Sequence, residues 1–233
     1  MTADRHGSGV RPKAVLFDLD GTLIDSAPDI TAAVNELLEV YDLPPLSLPQ
    51  VKTMIGEGVR KLVERAFVAS GVPLSESRLE EAFQTMGTIY HRHLTRFTQL
   101  MPGAGEALAR LHSSGTRLGV VTNKPQVAAR TVLLHFRLAE RFGTIVGGDA
   151  VMHGKPAPDA LLLALQQLGV SPEEALMVGD SATDVAAARA AGMPVVLVRG
   201  GYTRVPIEDL GADFICEDLS ALHAITEGTA TAA

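Results

Sequence analysis

Four short segments concentrate side chains able to do chemistry: Asp18-Leu19-Asp20-Gly21-Thr22, Thr122-Asn123-Lys124-Pro125, His153-Gly154-Lys155-Pro156 and Gly179-Asp180-Ser181-Ala182-Thr183-Asp184. Together they bring four acids, four hydroxyls and two amines. Asp18 and Asp20 are two residues apart, so in an extended segment their side chains lie on the same side. A cluster of Asp18, Asp20, Asp180 and Asp184 repels any dianionic ligand unless a divalent cation sits among them. The amines are scarce: lysine occurs only at positions 13, 52, 61, 124 and 155, and two of these five fall in the four segments.

Elements must deliver these segments to one place. Ala14 to Phe17 is a continuous apolar run that stops abruptly at Asp18, as a strand buried on both faces of a parallel sheet does. Further short apolar runs at 118–121, 144–146, 175–178 and 195–198 alternate with helical patterns at 106–111, 127–136, 159–168 and 184–191. That alternation predicts a doubly wound α/β parallel sheet. Gly169 and Gly192 fall where helix C-caps are needed, and Pro194 follows the second. In an open α/β sheet the ligand lies outside the carboxyl ends of the strands, where the four segments fall.

Between residues 26 and 100 the period is helical. Ile30, Val34, Leu37, Leu38 and Tyr41 make one stripe, and Val59, Leu62, Val63, Ala66 and Phe67 another; Leu79, Phe83, Met86 and Tyr90 make a third. Residues 43–49 and 71–73 carry the loop punctuation between them. The expected organisation is an α/β core of residues 13–25 plus 101–225, interrupted by an all-helical cap at 26–100. Residues 1–12 and 226–233 read as mobile tails.

Composition narrows the class. The 233 residues are 46% hydrophobic and 20% charged, enough for a sizeable core. With 27 acidic against 20 basic residues, net charge −7 and no Lys/Arg run, a nucleic-acid or anionic-membrane surface is excluded and a small-molecule enzyme expected. Cys216 is the sole cysteine, so neither an internal disulfide nor a paired-cysteine zinc site is possible. Residues 1–12 lack a signal-peptide core and no 18 apolar residues run together. A cytoplasmic protein, monomeric or a small homo-oligomer, is expected.

The four segments, in this order and each behind its own strand, resemble the haloacid dehalogenase superfamily over residues 13 to about 224. Asp20 and Thr22 look like its phosphatase variant. The stretches 55–65, 121–125 and 147–149 look like the phosphoglycolate phosphatase branch. The resemblance implies a Mg²⁺-dependent phosphatase acting on a small phosphorylated metabolite. Asp18 is then the nucleophile that forms an aspartyl phosphate, and Asp20 the acid and base for leaving group and water. Thr122 and the Asn123 N–H hold phosphoryl oxygens, and Lys155 neutralises their charge. Asp18, Asp180 and, by the resemblance, the backbone carbonyl of Asp20 are the metal ligands, with Asp184 and Ser181 behind them. The resemblance also tips Arg60 toward contact with the leaving group; the alternative is an exposed helix face.

Other readings stand beside these. Ser181-x-x-Asp184 is also a helix-capping pattern, compatible with a supporting role at the metal. Participation of Lys124 and His153 stays open. His91 and His93, two apart on a helix, do not share a face and read as surface. Gly56-Glu57-Gly58 lacks the third glycine of a dinucleotide loop. The same mechanism on a sugar phosphate or a phosphorylated intermediate of specialised metabolism is the rival substrate reading. It is fed by Thr203, which follows Gly200-Gly201-Tyr202 where the glycolate branch often has Asn. A receiver-like phosphorylation switch is the rival of another class; it needs neither Asp20 nor a cap.

Overall fold

The computed structural model describes residues 11–227; the expected mobile tails fall largely at 1–10 and 228–233, outside the described residues. Six strands make one fully parallel sheet: β1 Ala14–Phe17, β4 Arg117–Val121, β5 Thr144–Val146, β6 Ala175–Gly179, β7 Val195–Val198 and β8 Phe214–Cys216. Their order is β5-β4-β1-β6-β7-β8, with β1 paired to both β4 and β6. This central position is why Ala14 to Phe17 had to be apolar throughout: all four are 0% exposed. Successive side chains of β1 serve opposite faces. Ala14 and Leu16 pack with α7 (Asp159–Leu168) and α8 (Ala182–Ala191). Val15 and Phe17 pack on the side of α5 (Ala104–Ser113) and α6 (Gln126–His135). Helices therefore cover both faces, as the alternating pattern predicted. Gly169 and Gly192 are left-handed C-caps at φ 64° and 74°.

The helical stripes form α1 Ala27–Val40, α2 Leu48–Lys52, α3 Val59–Ala69 and α4 Glu76–Tyr90, inserted between β1 and β4. Their apolar faces close on one another through Val34, Leu37, Val63, Phe67, Leu79 and Met86, and this core is continuous with the face of the sheet that carries Phe17. The two chain crossings lie side by side, because β2 (Ile24–Asp25) pairs antiparallel with β3 (Gln99–Leu100). Asp29, buried at the start of α1, fastens the return crossing. Its carboxylate accepts from the N–H of Phe97 and of Thr98 and from the Thr98 hydroxyl, at 2.7 to 3.1 Å.

The structure adds elements that the pattern did not show. Helix α2 starts inside the proline-bearing stretch read as loop; Ser47 caps it and Gln50 returns to the Ser47 N–H, with Pro49 in the first turn where no intrahelical N–H is needed. Strand β8 adds a sixth strand at the edge of the sheet, beside β7. The C-terminal helix α9 (Leu222–Thr226) buries Thr226, so the packed chain extends past residue 225. Among the described residues no helix is long and apolar enough to cross a membrane.

Candidate active site

The sheet brings three strand ends against one another at its centre. Asp18 follows β1, Thr122 follows β4, and Asp180 follows β6; Lys155 comes from the longer segment after β5. All four side chains are buried, as is that of Asp184 in the first turn of α8. Close approach depends on glycine. A Cβ on Gly21, whose φ is 90°, would lie 2.5 Å from an Asp180 carboxylate oxygen, and one on Gly179 would overlap the Asp184 carboxylate.

The two carboxylates after β1 have different partners. Asp18 Oδ1 lies 2.9 Å from Lys155 Nζ, which also donates to Asp184 Oδ1 at 2.7 Å. Asp20 instead accepts from Lys124 Nζ at 2.9 and 3.2 Å and from Ser26 Oγ at 2.6 Å. Lys124 Nζ also donates to Tyr90 Oη at 2.6 Å. Burial alone would strip the proton from either lysine. The carboxylates of Asp18 and Asp184 outweigh it for Lys155, and Asp20 with the Tyr90 phenol outweighs it for Lys124, so both ammoniums are held above the usual range.

Asp18, Asp180 and Asp184 each present an oxygen within 4.8 Å of the others. Lys155 bridges Asp18 and Asp184, whereas Asp180 takes only neutral donors, the Tyr202 N–H at 2.5 Å and the Thr22 hydroxyl at 3.2 Å. Burial, then the neighbouring Asp184 and Asp18, drive Asp180 well above the ordinary carboxylate range. Burial lifts Asp18 to about 6 in spite of Lys155. Three buried carboxylates facing one ammonium thus call for further positive charge, and an all-oxygen donor set suits a hard divalent cation. The residues fit a metal.

Asp184 does two jobs, of which its spacing predicted the first. Its Oδ2 accepts from the Ser181 N–H and hydroxyl at 3.1 and 2.7 Å, closing the helix start, while Oδ1 holds Lys155. It is also one of the three carboxylates whose oxygens approach one another within 4.8 Å. The Asp20 carboxylate is turned away to Lys124, so any Asp20 contribution to a metal falls to its backbone carbonyl.

Asp18, Asp20, Thr122 and Asn123 line a cleft of about 410 Å³ beneath the helical insert, together with Lys124, Tyr90 and the aliphatic side chains of Ile30, Ile55, Val59 and Leu62. The Asn123 amide donates to the carbonyls of Gly56 and Lys155, at 2.9 and 2.8 Å, tying the insert to the strand ends. Arg60 is not among the residues that line the cleft. Its guanidinium pairs with Glu76 at 2.6 Å and Glu80 at 3.8 Å on α4. His153 is exposed and 3.4 Å from Asp159, and His93 pairs with Glu36 at 2.6 Å; neither touches the cluster. Sequence reasoning missed Tyr90, Ser26 and Tyr202. Tyr90 had only its place on the apolar stripe of α4 to mark it. Tyr202 accepts from the Ser26 and Ala27 N–H groups at 2.8 and 3.0 Å and donates to Asp25 at 2.7 Å, pinning the start of α1 beside Asp180.

Comparison with known proteins agrees with this arrangement. The family model described as haloacid dehalogenase-like hydrolase matches residues 15–198. The phosphoglycolate phosphatase of Rhodospirillum rubrum is 44% identical over 215 residues, covering 91% of this chain and 89% of that one. That of Caulobacter vibrioides is 38% identical over 201 residues, covering 86% and 85%. The crystal structure of a predicted phosphoglycolate phosphatase from Haemophilus somnus superposes with a TM-score of 0.87 at 33% identity, covering 93% of this chain and 98% of that one.

Proposed function

The chain belongs to the haloacid dehalogenase-like hydrolase family, and from that premise we propose that it hydrolyses a small phosphorylated acid, phosphoglycolate or a close analogue, through a phosphoryl group carried on Asp18. One observation carries the proposal: the two carboxylates after β1 are separately engaged, Asp18 with Lys155 in the triad and Asp20 with Lys124 and Ser26. One carboxylate is thereby available to attack and the other to move protons.

Asp18 Oδ attacks phosphorus, and the bond from phosphorus to the leaving oxygen breaks as Asp20 delivers a proton to that oxygen. Water then attacks the aspartyl phosphate, its proton passes to Asp20, and the Asp18 carboxylate is released with inorganic phosphate. Thr122, the Asn123 N–H and Lys155 hold the phosphoryl oxygens. Asp18, Asp180 and the Asp20 carbonyl would hold Mg²⁺, with Asp184 orienting Lys155 beside them. When bound, Mg²⁺ supplies positive charge that offsets the negative charge of carboxylates and substrate. Residues 13–25 plus 101–225 act as the catalytic core and 26–100 as the cap that shapes the leaving-group side.

The short acid is favoured over a sugar phosphate by the relatives named phosphoglycolate phosphatase, at 44% and 38% identity. Inorganic phosphate release across a panel of phosphorylated metabolites tests the proposal: many turnovers per chain on phosphoglycolate are expected, with sugar phosphates slower. Retention of one phosphate per chain without turnover overturns it in favour of a switch.

A further inference from the structure

Tyr90 ends α4, and its phenol reaches from the insert to the strand-end cluster. Its oxygen accepts from Lys124 Nζ at 2.6 Å, and the ammonium lies 5.0 Å from the ring centroid. A phenol that accepts one hydrogen bond still has its own O–H to give. Among the described residues no group receives that proton. Yet Tyr90 is only 6% exposed and lines the cleft, a position in which a tyrosine hydroxyl normally has its donor satisfied. Burial raises its ionisation above the usual range against the pull of Lys124, so it remains a donor at neutral pH. The other cleft-lining side chains from the insert are the aliphatic ones of Ile30, Ile55, Val59 and Leu62, beside Gly56 and Gly58.

We infer that Tyr90 is a specificity-determining residue, its phenolic O–H donating to a leaving-group oxygen remote from phosphorus, which in a phosphorylated short acid is the carboxylate. Lys124, donating to the same phenol oxygen, polarises the O–H and makes it a stronger donor toward an anion. Cap and core therefore recognise the acid jointly: α4 brings the hydroxyl and the segment after β4 the charge behind it. This rests on the phosphorylated-acid reading above.

The test compares phosphoglycolate with ethyl phosphate, which has a similar skeleton without the carboxylate. In wild type kcat/KM favours phosphoglycolate. Tyr90→Phe keeps the ring and its packing but removes the O–H, and the ratio of the two kcat/KM values falls by roughly 10- to 100-fold, the worth of a hydrogen bond to a charged group. A ratio unchanged in Tyr90→Phe, whether neither substrate suffers or both suffer equally, overturns the role of Tyr90 and leaves the substrate reading standing. A wild-type chain that treats both substrates alike overturns that reading and the Tyr90 role with it.

Discussion

Lys124 donates to both carboxylate oxygens of Asp20, at 2.9 and 3.2 Å, across 104 positions of sequence, and the pair is nearly shut off from solvent. A buried charge left without its partner is costly, so Lys124 fixes where Asp20 points. Lys124→Met leaves Ser26 as the one side chain among the described residues that donates to that carboxylate. We expect kcat/KM to drop roughly 10- to 100-fold on a nitrophenyl phosphate, the loss of one charge-assisted bond, and further on phosphoglycolate, which also loses the ammonium behind the Tyr90 hydroxyl. A drop confined to phosphoglycolate would place Lys124 on the substrate and not on Asp20.

Substitution within the first motif separates two roles. Asp18→Asn removes the nucleophile, so acid-quenched protein carries no covalent phosphate. Asp20→Asn keeps the nucleophile and slows turnover by roughly 10²- to 10⁴-fold. A good leaving group needs little protonation, so with nitrophenyl phosphate the phosphorylated Asp18 forms faster than it is hydrolysed and accumulates. Mass spectrometry of quenched samples decides; phosphate on Asp20 reverses the assignment.

Metal dependence has a pH signature. Asp18, ordinarily at 3.8, is lifted by burial to about 6, and Asp180 is lifted in the same direction. Between those values the metal-free folded chain holds protons that the unfolded chain has released, so its stability falls as pH rises through that window. Mg²⁺ competes with the same protons. At one hundred times its dissociation constant it adds about 2.7 kcal/mol, or roughly 5–11 °C in Tm. That gain should be larger near pH 7.5 than near pH 5 by thermal shift, and EDTA should abolish turnover until Mg²⁺ is restored. Equal gains at both pH values would remove Asp18 and Asp180 as the metal's carboxylates.

Arg60→Ala should leave kcat/KM on phosphoglycolate within about twofold of wild type, because its guanidinium is spent on Glu76 and Glu80 at the protein surface and exposed pairs of this kind are worth little. Steady-state kinetics settle the point. A tenfold loss would mean that the pair opens and the arginine turns to the substrate.

Arg60 also shows where reading by pattern stops. On α3, Val59 and Leu62 face the cleft, whereas Arg60 is turned about 100° further round the helix, toward α4. Motif resemblance selects the residue type near the site; helix rotation selects which neighbour faces it. Lys124 was visible as an amine behind a strand, but its partner Tyr90 was one more apolar position on α4, since an aromatic ring in a core stripe conceals what its hydroxyl touches. Helix α2 escaped notice because five residues are too few to establish a period.

By itself the sequence determined the order of strands and helices, the helical insertion and the identity of the strand-end acids. These follow from local periodicity and from the rule that parallel strands end at the ligand. Only the tertiary structure decided the pairings: Lys155 with Asp18 and Asp184, Lys124 with Asp20 and Tyr90, and Asp184 as a member of the triad. Each joins residues 4 to 166 positions apart, and short-range patterns do not encode which of several buried charges will meet. That is settled by sheet order, which sets β1 between β4 and β6, and by the need of every buried charge for a partner.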